Sequence, residues 1–85
     1  MITAAVVREQ GITFTIVLVK KYVIDSSLES DKAIVAFTPV FSGLPIVLMA
    51  QDHRGVPKYY GRHDIVHFLA KIPLQCIPWK KYSVS

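Results

Sequence analysis

The stretch Gly11-Ile12-Thr13-Phe14-Thr15-Ile16-Val17-Leu18-Val19-Lys20 decides how the rest of the chain is read. On an extended backbone Ile12, Phe14, Ile16 and Leu18 fall on one side, and Thr13, Thr15, Val17 and Val19 on the other. Period-2 alternation among β-branched residues predicts a strand. Glu9-Gln10-Gly11 before it reads as a turn, with Gly11 free to take positive φ, and Ile2 to Arg8 is a second short apolar run. The N-terminal region is therefore expected to be a β-hairpin whose second arm ends near Lys20 or extends toward Ile24.

Moving outward, Asp25-Ser26-Ser27 changes the local chemistry. Ser26 followed by Glu29 fits a capping box, in which each side chain accepts the other residue's free backbone N–H. Ala33, Ile34, Phe37 and Phe41 recur at helical spacing until Pro39 intervenes, which predicts a helix over 27–38. Leu44 to Ala50 is an unbroken apolar run and reads as a strand buried on both faces. Asp52-His53-Arg54-Gly55 is a turn, and Val56 to Tyr60 a shorter strand that Pro57 assigns to a sheet edge. From Asp64 onward Ile65, Phe68, Leu69 and Ile72 follow i, i+3, i+4, i+7, and Pro73 closes that helix.

The expected fold is α+β, in the order ββαββα. It has a four-stranded sheet, or a five-stranded one if the tail joins, mainly antiparallel, with both helices on one face. Residues 1–85 are expected to form a single domain, with 74–85 a C-terminal tail or edge strand. Ala33-Ile34-Val35-Ala36-Phe37 recurs as Asp64-Ile65-Val66-His67-Phe68, each before a proline, as an old ββα duplication would leave it. Gly43-Leu44-Pro45 entering a strand, the hairpin, then Gly61 and a helix resembles the final ββα of thioredoxin-like proteins. That resemblance implies a shape, and no redox chemistry, because the dithiol motif of those proteins is missing from this sequence.

Composition narrows the functional classes. Hydrophobic residues make up 52% of the chain, too many for disorder. Residues 33–51 carry no formal charge, but Pro39, Ser42, Gly43 and Pro45 interrupt them, so a membrane span is not expected. Arg8 and Glu9 interrupt the start before any signal-peptide core develops, and a soluble, cytoplasmic protein is the expectation. Cys76, the only cysteine, has no disulfide partner and beside Leu74 and Ile77 is expected to be a small buried hydrophobe.

The net charge is +4. Acids and bases cancel over residues 1–50, so the whole surplus lies in 51–85, where it would attract acidic partners. Arg54, Lys58, Tyr59, Tyr60 and Arg62, together with Trp79, Lys80 and Lys81, mix cations that hold phosphate with rings that stack on bases. The same pattern also blunts an edge strand and completes a core rim. His63 and His67 share an i, i+4 spacing, but no third metal ligand accompanies them, and solvent-facing polar residues are the simpler reading. No glycine-rich phosphate loop or nucleophile–base motif is present, so neither a cofactor nor a metal is expected, and catalysis has no support in the sequence.

One more feature concerns partners. With both helices on one face, the opposite face would expose Thr13, Thr15, Val17 and Val19, an apolar surface that marks an interface. The leading expectation is therefore a small noncatalytic interaction module, protein-binding or self-associating, a homodimer being one form of it. The alternative is a weak, salt-sensitive binder of single-stranded nucleic acid through the basic and aromatic residues just named. A small-molecule or metal-dependent enzyme using His53, His63 and His67 comes third.

Overall fold

The computed structural model describes residues 1–9 and 11–83. The chain forms β1 (Ile2–Glu9), β2 (Ile12–Leu18), α1 (Lys21–Ile24), α2 (Ser27–Phe37), β3 (Ile46–Gln51), β4 (Pro57–Tyr60), α3 (His63–Leu69), a 3-10 turn at Leu74–Cys76, and β5 (Lys80–Tyr82). This is the α+β class and the ββαββα order read from the sequence, with two extra helical turns, α1 and the 3-10 turn, and with the tail joining as the fifth strand. Its single sheet runs β4-β3-β2-β1-β5. β1 pairs antiparallel with both β2 and β5, and β3 with β4; β2 and β3 run parallel. The long connection through α1 and α2 permits that parallel step, since a short turn could only return the chain antiparallel.

β2 does not continue toward Ile24. Val19 still donates its N–H to the Met49 carbonyl at 2.9 Å, but Lys21–Ile24 coils into a helical turn. Lys21 reaches Asp25 across that turn at 2.6 Å. α2 starts as expected, with Ser26 Oγ accepting from the Glu29 N–H at 3.2 Å. The reciprocal half of the capping box is replaced, because the Ser26 N–H donates to the Val23 carbonyl at 3.3 Å. Thr38 donates its hydroxyl back to the Ile34 carbonyl, and the Gly43 N–H returns to the Thr38 carbonyl at 2.9 Å. Ser42 and Gly43 both take positive φ, which closes the helix and turns the chain into β3.

The helices are divided between the two faces, where the sequence reading placed both on one. Ala5, Phe14, Ile16, Val47 and Met49 pack against Ile65 and Leu69 of α3 and against Ile77. Ala4, Val17, Ile46, Leu48 and Ala50 pack against Ile24 of α1 and Phe41, with Ala33, Ile34 and Phe37 of α2 beside them. The reason lies in β3. All of Ile46–Ala50 is buried, so a cover is needed on each side, and one helix layer supplies each. The two similar pentapeptides thus become helices on opposite faces of one sheet.

That division removes the exposed face on which an interface was expected. Thr15 and Val17 are fully buried beneath the protein's own helices, and Thr13 and Val19 are half-buried. The apolar excess of β2 is consumed internally. Thr15 Oγ1 has no hydrogen-bond partner there, whereas the equally buried Ser30 donates its hydroxyl to the Val23 carbonyl at 2.8 Å. Among the described residues no helix is long and apolar enough to cross a membrane.

Candidate functional site

A concavity of about 820 Å³ opens at the end of the sheet where β3 begins and β4 finishes. One wall is α2, through Asp31, Ile34 and Thr38; the floor is Gly43-Leu44-Pro45-Ile46. Tyr59, Tyr60 and the start of α3 make the other wall. Register explains why neighbouring tyrosines contribute differently. Tyr60 stands opposite Leu48 and faces α2, while Tyr59 stands opposite Met49 and packs into the α3 side.

Tyr60 Oη donates to Asp31 Oδ1 at 2.9 Å, pinning α2 to the edge strand. That bond to a carboxylate, with some desolvation, raises the Tyr60 pKa above its ordinary value. Burial alone raises that of Tyr59, whose hydroxyl is enclosed without a hydrogen-bond partner. Gly61 follows directly, where a side chain would be tightly crowded. A Cβ there would lie 3.0 Å from Val47 Cγ2 and 3.2 Å from the Ile46 carbonyl oxygen. Arg62 then grips Asp64 with two nitrogens, at 3.2 and 2.7 Å, which lowers the Asp64 pKa. His63 lies exposed on the rim.

The basic and aromatic residues singled out from the sequence do not converge. Lys58, Tyr59 and Tyr60 lie on β4, with Arg54 in the turn before it and Arg62 just after it. Lys80 and Lys81 lie on β5, with Trp79 just before it. These strands are the opposite edges of the sheet, and four strand spacings separate them by about 19 Å. The β4 cations are also internally engaged: Arg54 with Asp52 at 3.7 Å, Lys58 with Asp25 at 3.4 Å, and Arg62 with Asp64. Asp25 is held below its ordinary pKa, first by its hydrogen bond to Lys21 and further by Lys58. Among the described residues Lys80 and Lys81 have no carboxylate within 4.0 Å.

His63 and His67 are both exposed on α3, and His53 is exposed in the turn before β4. Among the described residues no three His, Cys, Asp or Glu side chains come together as metal ligands. Cys76 is exposed, where burial was expected; the 3-10 turn directs Ile77 into the core and leaves the thiol outside. Sequence reading identified Tyr59, Tyr60 and Arg62 of the cleft but missed Asp31, Ile34 and Thr38. Their signal was weak, because α2 is nearly as apolar on its outer side, with Leu28 and Val35 exposed. Comparisons with known protein families, with curated proteins and with solved structures find no match for this chain. None of them supports the resemblance to the end of thioredoxin-like proteins.

Proposed function

We propose that this chain is a noncatalytic protein-interaction module that holds a short apolar segment of a partner protein in the cleft between α2 and the end of β4. The observation that carries this reading is the cleft's position: it opens beside an edge strand that, among the described residues, has no strand on its outer side. An extended segment gains main-chain hydrogen bonds from such an edge, and a cleft next to it selects the side chains. Ile34, Leu44, Pro45 and Val66 supply an apolar lining. The polar groups around them are tied to one another, Tyr60 to Asp31 and Arg62 to Asp64, which suits a fixed shape better than proton exchange.

The test is a selection of displayed random peptides against the folded chain, followed by an NMR titration of the best binder. Shifts of Tyr59–His63 together with Ile34 and Thr38, lost in Thr38→Arg, which fills the cleft, are the expected result. Failure to select any peptide, or shifts that leave those residues unmoved, would overturn it. Circular dichroism of Thr38→Arg separates lost binding from lost fold.

A further inference from the structure

The opposite edge carries a separate feature. β5 pairs with only Ile2–Ala4 of β1, so among the described residues Val6–Glu9 has no strand paired on its outer side. Register fixes which side chains stand together there. Ala4 belongs to the core under α1 and α2, so Val6 and Arg8 face the same way, and Lys80, opposite Ala4, joins them. Beside Val6 lies a groove of about 320 Å³, lined by Val40, Phe41, Leu44 and Tyr82. Val6 and Val40 are two of the few large apolar residues left exposed, at 40% and 38%.

Charge says what this edge is suited to receive. Among the described residues Arg8, Lys80 and Lys81 have no carboxylate within 4.0 Å, in contrast to the paired cations of β4. Glu9 alternates to the other face, beside Phe68 and Cys76 of the α3 side. On the α2 side the order along the edge is therefore cation, apolar residue, cation: Lys80, Val6, Arg8. That order complements an extended segment in which acidic and apolar residues alternate on one face.

We propose that the uncovered half of β1 takes up an acidic, extended segment of a partner protein as an added strand. Its apolar side chain enters the Val6–Val40–Phe41 groove, and its carboxylates meet Arg8 and Lys80. Main-chain bonds to Val6–Glu9 supply affinity, and the two cations select an acidic partner and orient it. This site lies at the β1–β5 edge and the cleft at the end of β4, with Leu44 lining both.

The experiment is an NMR titration of the full chain with a capped octapeptide in which Glu and Val alternate at every second position with Thr between them, so that both lie on one face of the extended chain. The controls are its Lys–Val counterpart and an oligothymidylate of equal charge. Val6–Glu9 and Lys80–Tyr82 should shift with the Glu–Val peptide alone, more weakly at high salt. Arg8→Glu combined with Lys80→Glu should weaken binding about two- to thirtyfold, the range for losing two charge pairs of this kind. Val6→Ser, which removes the apolar contact at an exposed position without adding charge, should weaken it too. Silence at Val6–Glu9, or an equal response to the Lys–Val peptide, would overturn the proposal. Tighter binding of the oligothymidylate, with shifts centred on Trp79, would replace it with a nucleic-acid interface. Shifts confined to Tyr59–His63 and untouched by the charge reversal would overturn it while supporting the cleft.

Discussion

The two edges of the sheet are built from the same kinds of residue and behave as different surfaces. β4 and its flanks carry Arg54, Lys58, Arg62 and two tyrosines; β5 and its flank carry Lys80, Lys81, Trp79 and Tyr82. At β4 every cation meets an acid: Asp52, Asp25 or Asp64. At β5 the lysines stand beside β1, whose neighbouring positions are Ala4 and Thr3, and among the described residues no carboxylate lies within 4.0 Å of either. Basic and aromatic composition alone therefore does not identify a binding surface. What matters is whether the fold brings a carboxylate to each cation, which for Lys58 comes from Asp25, far away in sequence.

The sharpest contrast is mechanical. Gly61→Ala, behind the β4 edge, forces its Cβ against Val47 and the Ile46 carbonyl. It is expected to cost about 1–3 kcal/mol, the range for overpacking, read as a shift in the urea midpoint. An unchanged midpoint would mean that the chain leaving β4 does not lie tight against β3. Tyr59→Phe should act in the opposite direction, raising stability by about 1 kcal/mol, because it deletes a buried hydroxyl with no partner. The alkaline limb checks the same residue. Its pKa is raised from 10.0 by burial, so its contribution is present below that value and lost as pH rises through the folded one. Tyr59→Phe should remove that part of the loss. Tyr60→Phe, one residue on, should instead destabilise, because it breaks the bond to Asp31.

Smaller effects separate the edges electrostatically. Asp25 has a lowered pKa, so its pairing stabilises the fold above the unfolded value of 3.8 and is lost as pH falls through the folded one. Asp25→Asn should flatten the acid limb of a stability–pH curve. Lys58→Gln should flatten it less, because Lys21 is the main cause of the shift. Smallest of all, Lys80→Gln and Lys81→Gln should each change stability by no more than about 0.5 kcal/mol, because surface changes with no partner rarely do more. A larger loss at either lysine would show that the two edges are alike after all.

Local chemistry made much of this protein legible in its sequence. The alternation of Ile12–Val19, the turn glycines, Ser26 as cap, the prolines after each helix and Pro57 on an edge strand all act over a few residues. Strands, helices and their order followed from these. The apolar run Ile46–Ala50 also announced burial on both faces, but not which elements would supply the two covers. Sidedness needs the tertiary structure, because a helix with one apolar stripe fits either face of a sheet that is apolar on both. Strand order has the same origin. Once the α1–α2 connection carried the chain back to run parallel with β2, β4 became one edge and β5 the other. That separated residues which look like one cluster in the sequence, and it joined Asp31 to Tyr60 and Asp25 to Lys58 across distances that no local pattern encodes. The sequence determined which segments extend and which coil, through short-range backbone preference. Packing against a sheet that is apolar on both faces decided which surfaces remain open.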